Sequence, residues 1–299
     1  MGQMPLKREE KNDVVLMFLV SINYLLGNLG KPYSETVGVV DLGGGSVQMY
    51  YAISEETAAN APTPTPNPSG GGGDQDSYLA QWNLNGTTYY LYAHSYLRYG
   101  LEASRAEILK LSGDAGNPCV INGYQGTYNY SGEVYKVSVP PSGTDKHRCR
   151  ALIKKALNLC PQKNCTLMVM FGTVEAVMDK TFSILQPLSI TLLLRMRTWT
   201  EIYPWEYLKA ANVACKTDME NVKSIYPYAR DADLPYICMD LVYIYTLLVD
   251  GFGLDPKKEM RVVQNMEYKG SEFEAAWPLG CAIDSLSPLT SRLHALAYA

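Results

Sequence analysis

Val37-Gly38-Val39-Val40-Asp41-Leu42-Gly43-Gly44-Gly45-Ser46-Val47-Gln48-Met49-Tyr50 is the stretch that decides how this chain is read. A Val-rich run ends in an acid, three glycines follow, and a second apolar run leaves through Ser-Val-Gln. The two runs read as short buried strands and the glycines as the hairpin turn between them. Lacking a Cβ, the glycines let a ligand approach the backbone and reach positive φ at little cost. Successive N–H groups in such a turn converge on a concavity that suits phosphate oxygens. Asp41, at the strand end, is placed like a carboxylate that holds Mg²⁺ or Ca²⁺, often through water. Ser46 and Gln48 share one strand face, because side chains alternate. A hydroxyl and an amide there suit the orientation of an attacking water. The plainer reading is a glycine hairpin that only turns the chain; the Asp before it and the Ser-x-Gln after it favour phosphate. Neither Gly-x-x-x-x-Gly-Lys-Ser/Thr nor a Gly-x-Gly-x-x-Gly opening a helix is present.

The remaining composition sets bounds. At 299 residues and 47% hydrophobic, the chain can bury one large core or two ordinary ones. A net charge of −4 and a pI near 5.5 leave no basic footprint for nucleic acid. Seven cysteines (119, 149, 160, 165, 215, 238 and 281) form no zinc-binding spacing. Three N-glycosylation sequons begin at Asn85, Asn129 and Asn164 and agree with a secretory history. Residues 1–13 are polar and charged, unlike a signal peptide, and Leu6 stands where myristoylation wants Ser or Thr. Val14–Val20 is apolar but far too short to span a bilayer.

Three motifs in order carry a family resemblance. Gly38 to Gln48 resembles the second phosphate-binding motif of the apyrases (nucleoside triphosphate diphosphohydrolases), above all the plant type. Asn23-Tyr24-Leu25-Leu26-Gly27 is similar to the tail of the preceding motif, and Ala276-Trp277-Pro278-Leu279-Gly280 to the last one. The resemblance implies an α/β fold: an actin-like (ribonuclease H-like) mixed sheet with flanking helices, mainly the second of two family domains. It implies hydrolysis of nucleoside tri- and diphosphates, ATP or ADP to AMP and phosphate, with Ca²⁺ or Mg²⁺. Asp41 would hold the metal through water. Gly43, Gly44, Gly45 and Ser46 would meet phosphate, with Ser46 and Gln48 catalytic in placing the water. It also implies disulfides Cys119–Cys149, Cys160–Cys165 and Cys215–Cys238, with Cys281 free, and an extracellular or endomembrane location. An exopolyphosphatase or sugar kinase shares Asp-x-Gly-Gly-Gly-Ser, but the cysteine layout and the two flanking motifs argue against both.

The chain departs from that pattern in places. No segment resembles the family's first phosphate loop, and the position expected to carry the catalytic glutamate holds Val14, beside Asp13. On a strand Asp13 would face the other way. Residues 1–20 therefore read as a non-family segment and 21–299 as the phosphate-binding domain. A non-catalytic nucleotide-binding protein is the competing function.

Along the chain, 54–76 reads as an exposed Pro/Gly loop, Tyr78–Leu91 as a strand pair turning at Asn85-Gly86, and Ala93–Leu111 as an amphipathic helix. Val120–Val139 reads as strand, and Lys146–Leu159 as a helix whose Arg148, Arg150, Lys154 and Lys155 form a solvated face. Leu234–Gly251 opens as a core helix with Pro235 in its first turn, Asp240 and Asp250 being structural. Between them, 166–203 breaks with the family. Where plant apyrases carry four glycines and an aspartate, this chain has Val174-Glu175-Ala176-Val177-Met178-Asp179-Lys180. Those residues all fall within the small sets that the same codons allow one nucleotide out of frame, ordinary divergence being the plainer alternative. The segment reads as frame-shifted, with nothing to show that it packs as the family does.

Overall fold

A computed structural model describes residues 8–60, 79–84, 87–157, 181–185, 199–263, 265–268, 271–274 and 278–285. The chain begins with α1 (Arg8–Leu25) and passes to β1 (Gly38–Leu42), β2 (Ser46–Ile53) and the short α2 (Glu55–Ala59). Next come β3 (Leu79–Leu84), β4 (Thr87–Leu97) and α3 (Leu101–Ser112), then a ribbon of β5 (Gln125–Tyr130) and β6 (Glu133–Ser138). After α4 (Lys146–Ala156) follow β7 (Phe182–Leu185), β8 (Trp199–Ile202), α5 (Pro204–Ala214) and α6 (Ile237–Thr246). The last elements are β9 (Met260–Val263), β10 (Asn265–Tyr268), β11 (Ser271–Glu274) and α7 (278–285).

Seven strands form one mixed sheet in the order β3-β4-β2-β1-β7-β9-β8. β1, β2, β4 and β3 pair antiparallel in succession, while β7 and β9 run parallel to β1. Four antiparallel strands joined by parallel ones beside β1 make the expected mixed sheet of an actin-like core. The register Asp41↔Gln48 and Leu42↔Val47 closes the hairpin around the three glycines.

Alternation gives the sheet two apolar faces. Val40, Leu42, Val47, Met49 and Tyr51 join the larger cluster, which includes buried side chains of α3, α4, α5 and α6. Val39, Tyr50, Ala52 and Leu91 join the smaller one, under Leu19, Ile22 and Leu25 of α1 and Leu279 and Ile283 of α7. Ile237, Leu241, Ile244 and Leu248 are all at most 1% exposed, as their helical spacing predicts. Each such burial is worth about 1.5–3 kcal/mol. Leu234–Gly251 is the one described helical run long and apolar enough to cross a membrane, and 89% of it is buried inside the fold.

Two motif residues explain themselves here. Asn23, 2% exposed, brackets the peptide entering β1: its amide donates to the Val37 carbonyl (3.1 Å) and its Oδ1 accepts the Val37 N–H (2.9 Å). Gly27, at φ 67°, follows the end of α1 in the left-handed region where L side chains are strained. Cys119–Cys149 ties the loop before β5 to α4, and Cys215–Cys238 ties α5 to α6. With sequence separations of 30 and 23, each is worth about 3–4 kcal/mol by chain entropy. Cys281 is free; Cys160 and Cys165 lie outside the described residues.

Several expectations need correction. Ala93–Leu97 is the end of β4, not helix, and Leu97 is 61% exposed; the helix begins at Leu101. The 54–76 stretch holds a helical turn, α2, capped by the Ser54 hydroxyl, and 61–78 lies outside the described residues. Asp13 and Val14 lie on a helix, so strand alternation does not separate them. Within 166–203, Phe182–Leu185 and Trp199–Ile202 pair into the sheet, and the Val174–Lys180 run lies outside the described residues. Arg150 and Lys154 are not merely solvated: both pair with Asp250, at 2.6 and 3.0 Å.

Asp240 is structural, as expected, through a buried network. Arg105 on α3 forks onto Asp240 (2.8 and 2.6 Å) and reaches Asp233 (2.9 Å), which also takes Arg230 (2.6 Å). Burial works against the Arg105 charge, but the two carboxylates outweigh it and hold the guanidinium more firmly protonated than usual. Arg105→Met leaves two buried carboxylates short of a partner and costs about 3–5 kcal/mol. Urea unfolding with disulfides intact measures this, and adding Asp233→Asn and Asp240→Asn recovers most of the loss.

Candidate functional site

The glycine turn is held from one side only. Leu101, Glu102 and Ala103, the first residues of α3, donate their N–H groups to the carbonyls of Gly43 (2.8 Å) and Gly44 (2.9 and 3.0 Å). A helix N-terminus leaves such donors without intrahelical partners; here the hairpin's carbonyls take them. Arg98, in the left-handed region at φ 72°, turns the chain out of β4 and donates its N–H to the Gly45 carbonyl at 2.9 Å. Gly100 makes the junction possible: a Cβ there would lie 2.3 Å from Ser46 N and 2.4 Å from the Gly44 carbonyl oxygen.

With the Gly44 carbonyl held by α3 and the Gly45 carbonyl by Arg98, both glycines keep N–H groups that meet no acceptor among the described residues. Gly43 spends its own on the Ser46 carbonyl at 3.1 Å. None of the three takes positive φ, so the expectation on that point fails. Close packing favours glycine: a Cβ on Gly43 would sit a tight 3.1 Å from the Ser46 carbonyl oxygen, and one on Gly44 3.1 Å from Glu102 Oε2, which a side-chain shift could relieve. Tyr130 of the ribbon brings its hydroxyl to the third glycine.

Asp41, Ser46 and Gln48 share the sheet face that carries α1, since Asp41 pairs with Gln48 and Val39 with Tyr50. The Gln48 amide donates to Ser46 Oγ (2.6 Å) and to Ser95 Oγ of β4 (3.1 Å). Both amide hydrogens are thereby spent, and Oε1 remains as an acceptor. Asp41 is half-buried, and no donor or cation among the described residues answers it. Burial alone pushes its carboxyl up to about 6. Such a group fits one cation, whose charge would offset the desolvation. No cluster of three acidic, His or Cys side chains occurs among the described residues. The residues therefore fit a divalent cation that keeps most of its waters, rather than an all-protein cage.

The GDA1/CD39 (nucleoside phosphatase) family matches residues 16–295. The chain belongs to that family. Among its GDA1/CD39 relatives, it is 46% identical to Apyrase 1 of Arabidopsis thaliana over 281 residues, covering 90% of this chain and 57% of that protein. It is 43% identical to the Apyrase of Solanum tuberosum over 297 residues, with 92% and 60% covered. The Nucleoside-triphosphatase of Pisum sativum is 44% identical over 279 residues, with 90% and 60% covered. The chain thus spans about three fifths of the length of these plant relatives. A solved nucleoside triphosphate hydrolase from Neospora caninum superposes with a TM-score of 0.60 at 13% identity, covering 94% of this chain and 64% of that one. That likeness bears on the fold.

All the site residues expected from the sequence, Asp41, Gly43, Gly44, Gly45, Ser46 and Gln48, meet at this one end of the sheet. Ser95, Gly100, Glu102 and Tyr130 complete the surroundings and were not foreseen. Reading 93–111 as one helix hid Ser95 and Gly100; a Gly placed before Leu101 with Glu in the first turn was the available signal. Trp277 lies outside the described residues.

Two predictions follow from this geometry. Gly100→Ala forces the hairpin away from α3, destabilises the fold by about 1–3 kcal/mol and weakens nucleotide binding; urea unfolding and calorimetric titration measure the two. Asp41 charges at higher pH in the fold than in the unfolded chain, where its pKa is 3.8. With chelator present it therefore costs stability as pH rises from about 4 through 6. Asp41→Asn should be about 2–3 kcal/mol more stable than the parent at neutral pH, the gap closing as pH falls towards 4.

Proposed function

We propose that the hairpin binds the terminal phosphates of nucleoside tri- and diphosphates and hydrolyses them to the monophosphate and phosphate. The observation that carries the reading is the one-sided capture of the hairpin. Its carbonyls are committed to α3 and to Arg98 just before it, and the Gly44 and Gly45 N–H groups are left for an anion, beside an uncompensated carboxylate.

The chemistry is positioning and charge stabilisation. Gly44 and Gly45 donate to phosphate oxygens. Ser46 Oγ accepts from Gln48, so its own hydrogen is free to donate to phosphate or water. Gln48, its amide hydrogens held by Ser46 and Ser95, presents Oε1 to accept a proton of the attacking water and fix its direction. Asp41 would hold Ca²⁺ or Mg²⁺, which when bound would neutralise phosphate charge. The relatives' names and the two disulfides support a nucleotide substrate and a secretory or extracellular setting. Val14, where the resemblance puts the glutamate base, favours the second reading: phosphate binding without turnover.

Phosphate release from ATP and ADP with Ca²⁺ or Mg²⁺ decides between the readings. Hydrolysis predicts release that falls about 10²–10³-fold in Gln48→Ala and is lost in Asp41→Ala. Equal background from all three chains overturns turnover, and the binding reading then requires nucleotide affinity that Asp41→Ala loses.

A further inference from the structure

Asn129-Tyr130-Ser131 lies at the tip of the β5–β6 ribbon, which turns through Ser131 and Gly132 at φ 52° and 84°. Both positive φ values mark a tight hairpin turn. The ribbon is two-faced. Tyr128 and Tyr130 point inward: the Tyr128 hydroxyl donates to the Glu102 carbonyl at 2.8 Å, and Tyr130 reaches Gly45. Gln125, Thr127 and Asn129 alternate with them and are exposed. Across the ribbon they pair with Ser138, Lys136 and Val134. On that outward face Val134 is the one apolar side chain, it is 68% exposed, and it lies directly opposite Asn129. Directly opposed residues bring their Cβ atoms within about 4.5–5.5 Å. Elsewhere in the chain, two buried disulfides point to folding in an oxidising compartment.

We infer that Asn129 carries an N-linked glycan whose first sugar rests its apolar face on Val134. The sequon supplies the acceptor and the outward face the room. The sugar covers the Val134 side chain that the ribbon leaves in water. In the transfer, Asn129 Nδ2 forms a bond to the anomeric carbon of a lipid-diphosphate-linked oligosaccharide. The carbon–oxygen bond to the diphosphate breaks, the lipid diphosphate leaves, and the amide gives up one proton. Because the glycan sits on the ribbon face turned away from the glycine hairpin, it is independent of the phosphate chemistry.

The test exports the full chain from a eukaryotic cell behind a cleavable signal, then releases glycans with peptide-N-glycosidase in heavy-oxygen water and maps peptides by mass. The Cys119–Cys149 bridge is read in the same digest. The expected result is a bridged chain with Asn129 converted to heavy-oxygen-labelled aspartate, the label being lost in Ser131→Ala. Asn129→Gln should then self-associate and bind apolar dye more than the parent, and Asn129→Gln with Val134→Thr should not. Unlabelled Asn129 in the bridged chain overturns the proposal, and an exported chain without the bridge removes its premise. A labelled chain whose Asn129→Gln variant associates no more than the parent overturns the seat on Val134.

Discussion

Three N–H groups at the start of α3 meet the carbonyls of Gly43 and Gly44, and the rest of the site depends on that contact. A free helix N-terminus is a ready anion site. In this fold its donors serve the hairpin, and the N–H groups of Gly44 and Gly45 meet no acceptor among the described residues. The arrangement needs a bare backbone on both sides, which is why Gly100 matters as much as the glycines it touches. It also needs α3 held in place. Arg105, one turn beyond the contact, is fixed to Asp233 and Asp240, so the buried ion network and the hairpin lie on one rigid line.

The sheet sets the other half of the geometry. Asp41 and Gln48 are cross-strand partners, and Ser95 is the partner of Gln48 on the next strand. Asp41, Gln48 and Ser95 thus occupy one row across three antiparallel strands, the Ser95 hydroxyl accepting from the Gln48 amide. Larger apolar residues on the opposite face pack against the helices and keep that row in register. Asn23 performs a similar service at the other end of β1, where its side chain closes both hydrogen bonds of Val37.

Much of this was legible in the residues. The Val-rich run, the acid and the glycines announced the hairpin and placed Asp41, Ser46 and Gln48 on their shared face. Two of the three expected disulfides are present. What escaped was whatever depended on distant partners. β4 is buried on both faces over much of its length, so its Tyr-Leu-Tyr-Ala-His-Ser-Tyr-Leu run lacks clean alternation, and Ala93 and Leu97 fell by chance on helical spacing. Arg105 meets Asp240 across 135 residues, a pairing that no local pattern announces. Of the two reasons for the glycines, the lack of a Cβ is the one the fold uses, and the positive φ is not.

The central claim is that the free N–H groups of Gly44 and Gly45, and not the helix terminus behind them, receive phosphate. Amide NMR of the labelled chain, titrated with Ca²⁺ and a non-hydrolysable nucleoside triphosphate, tests it most directly. The account predicts large shifts and slowed hydrogen exchange at Gly44 and Gly45, with Leu101, Glu102 and Ala103 keeping their partners and moving little. Large changes at Leu101–Ala103 with Gly44 and Gly45 unmoved would contradict it.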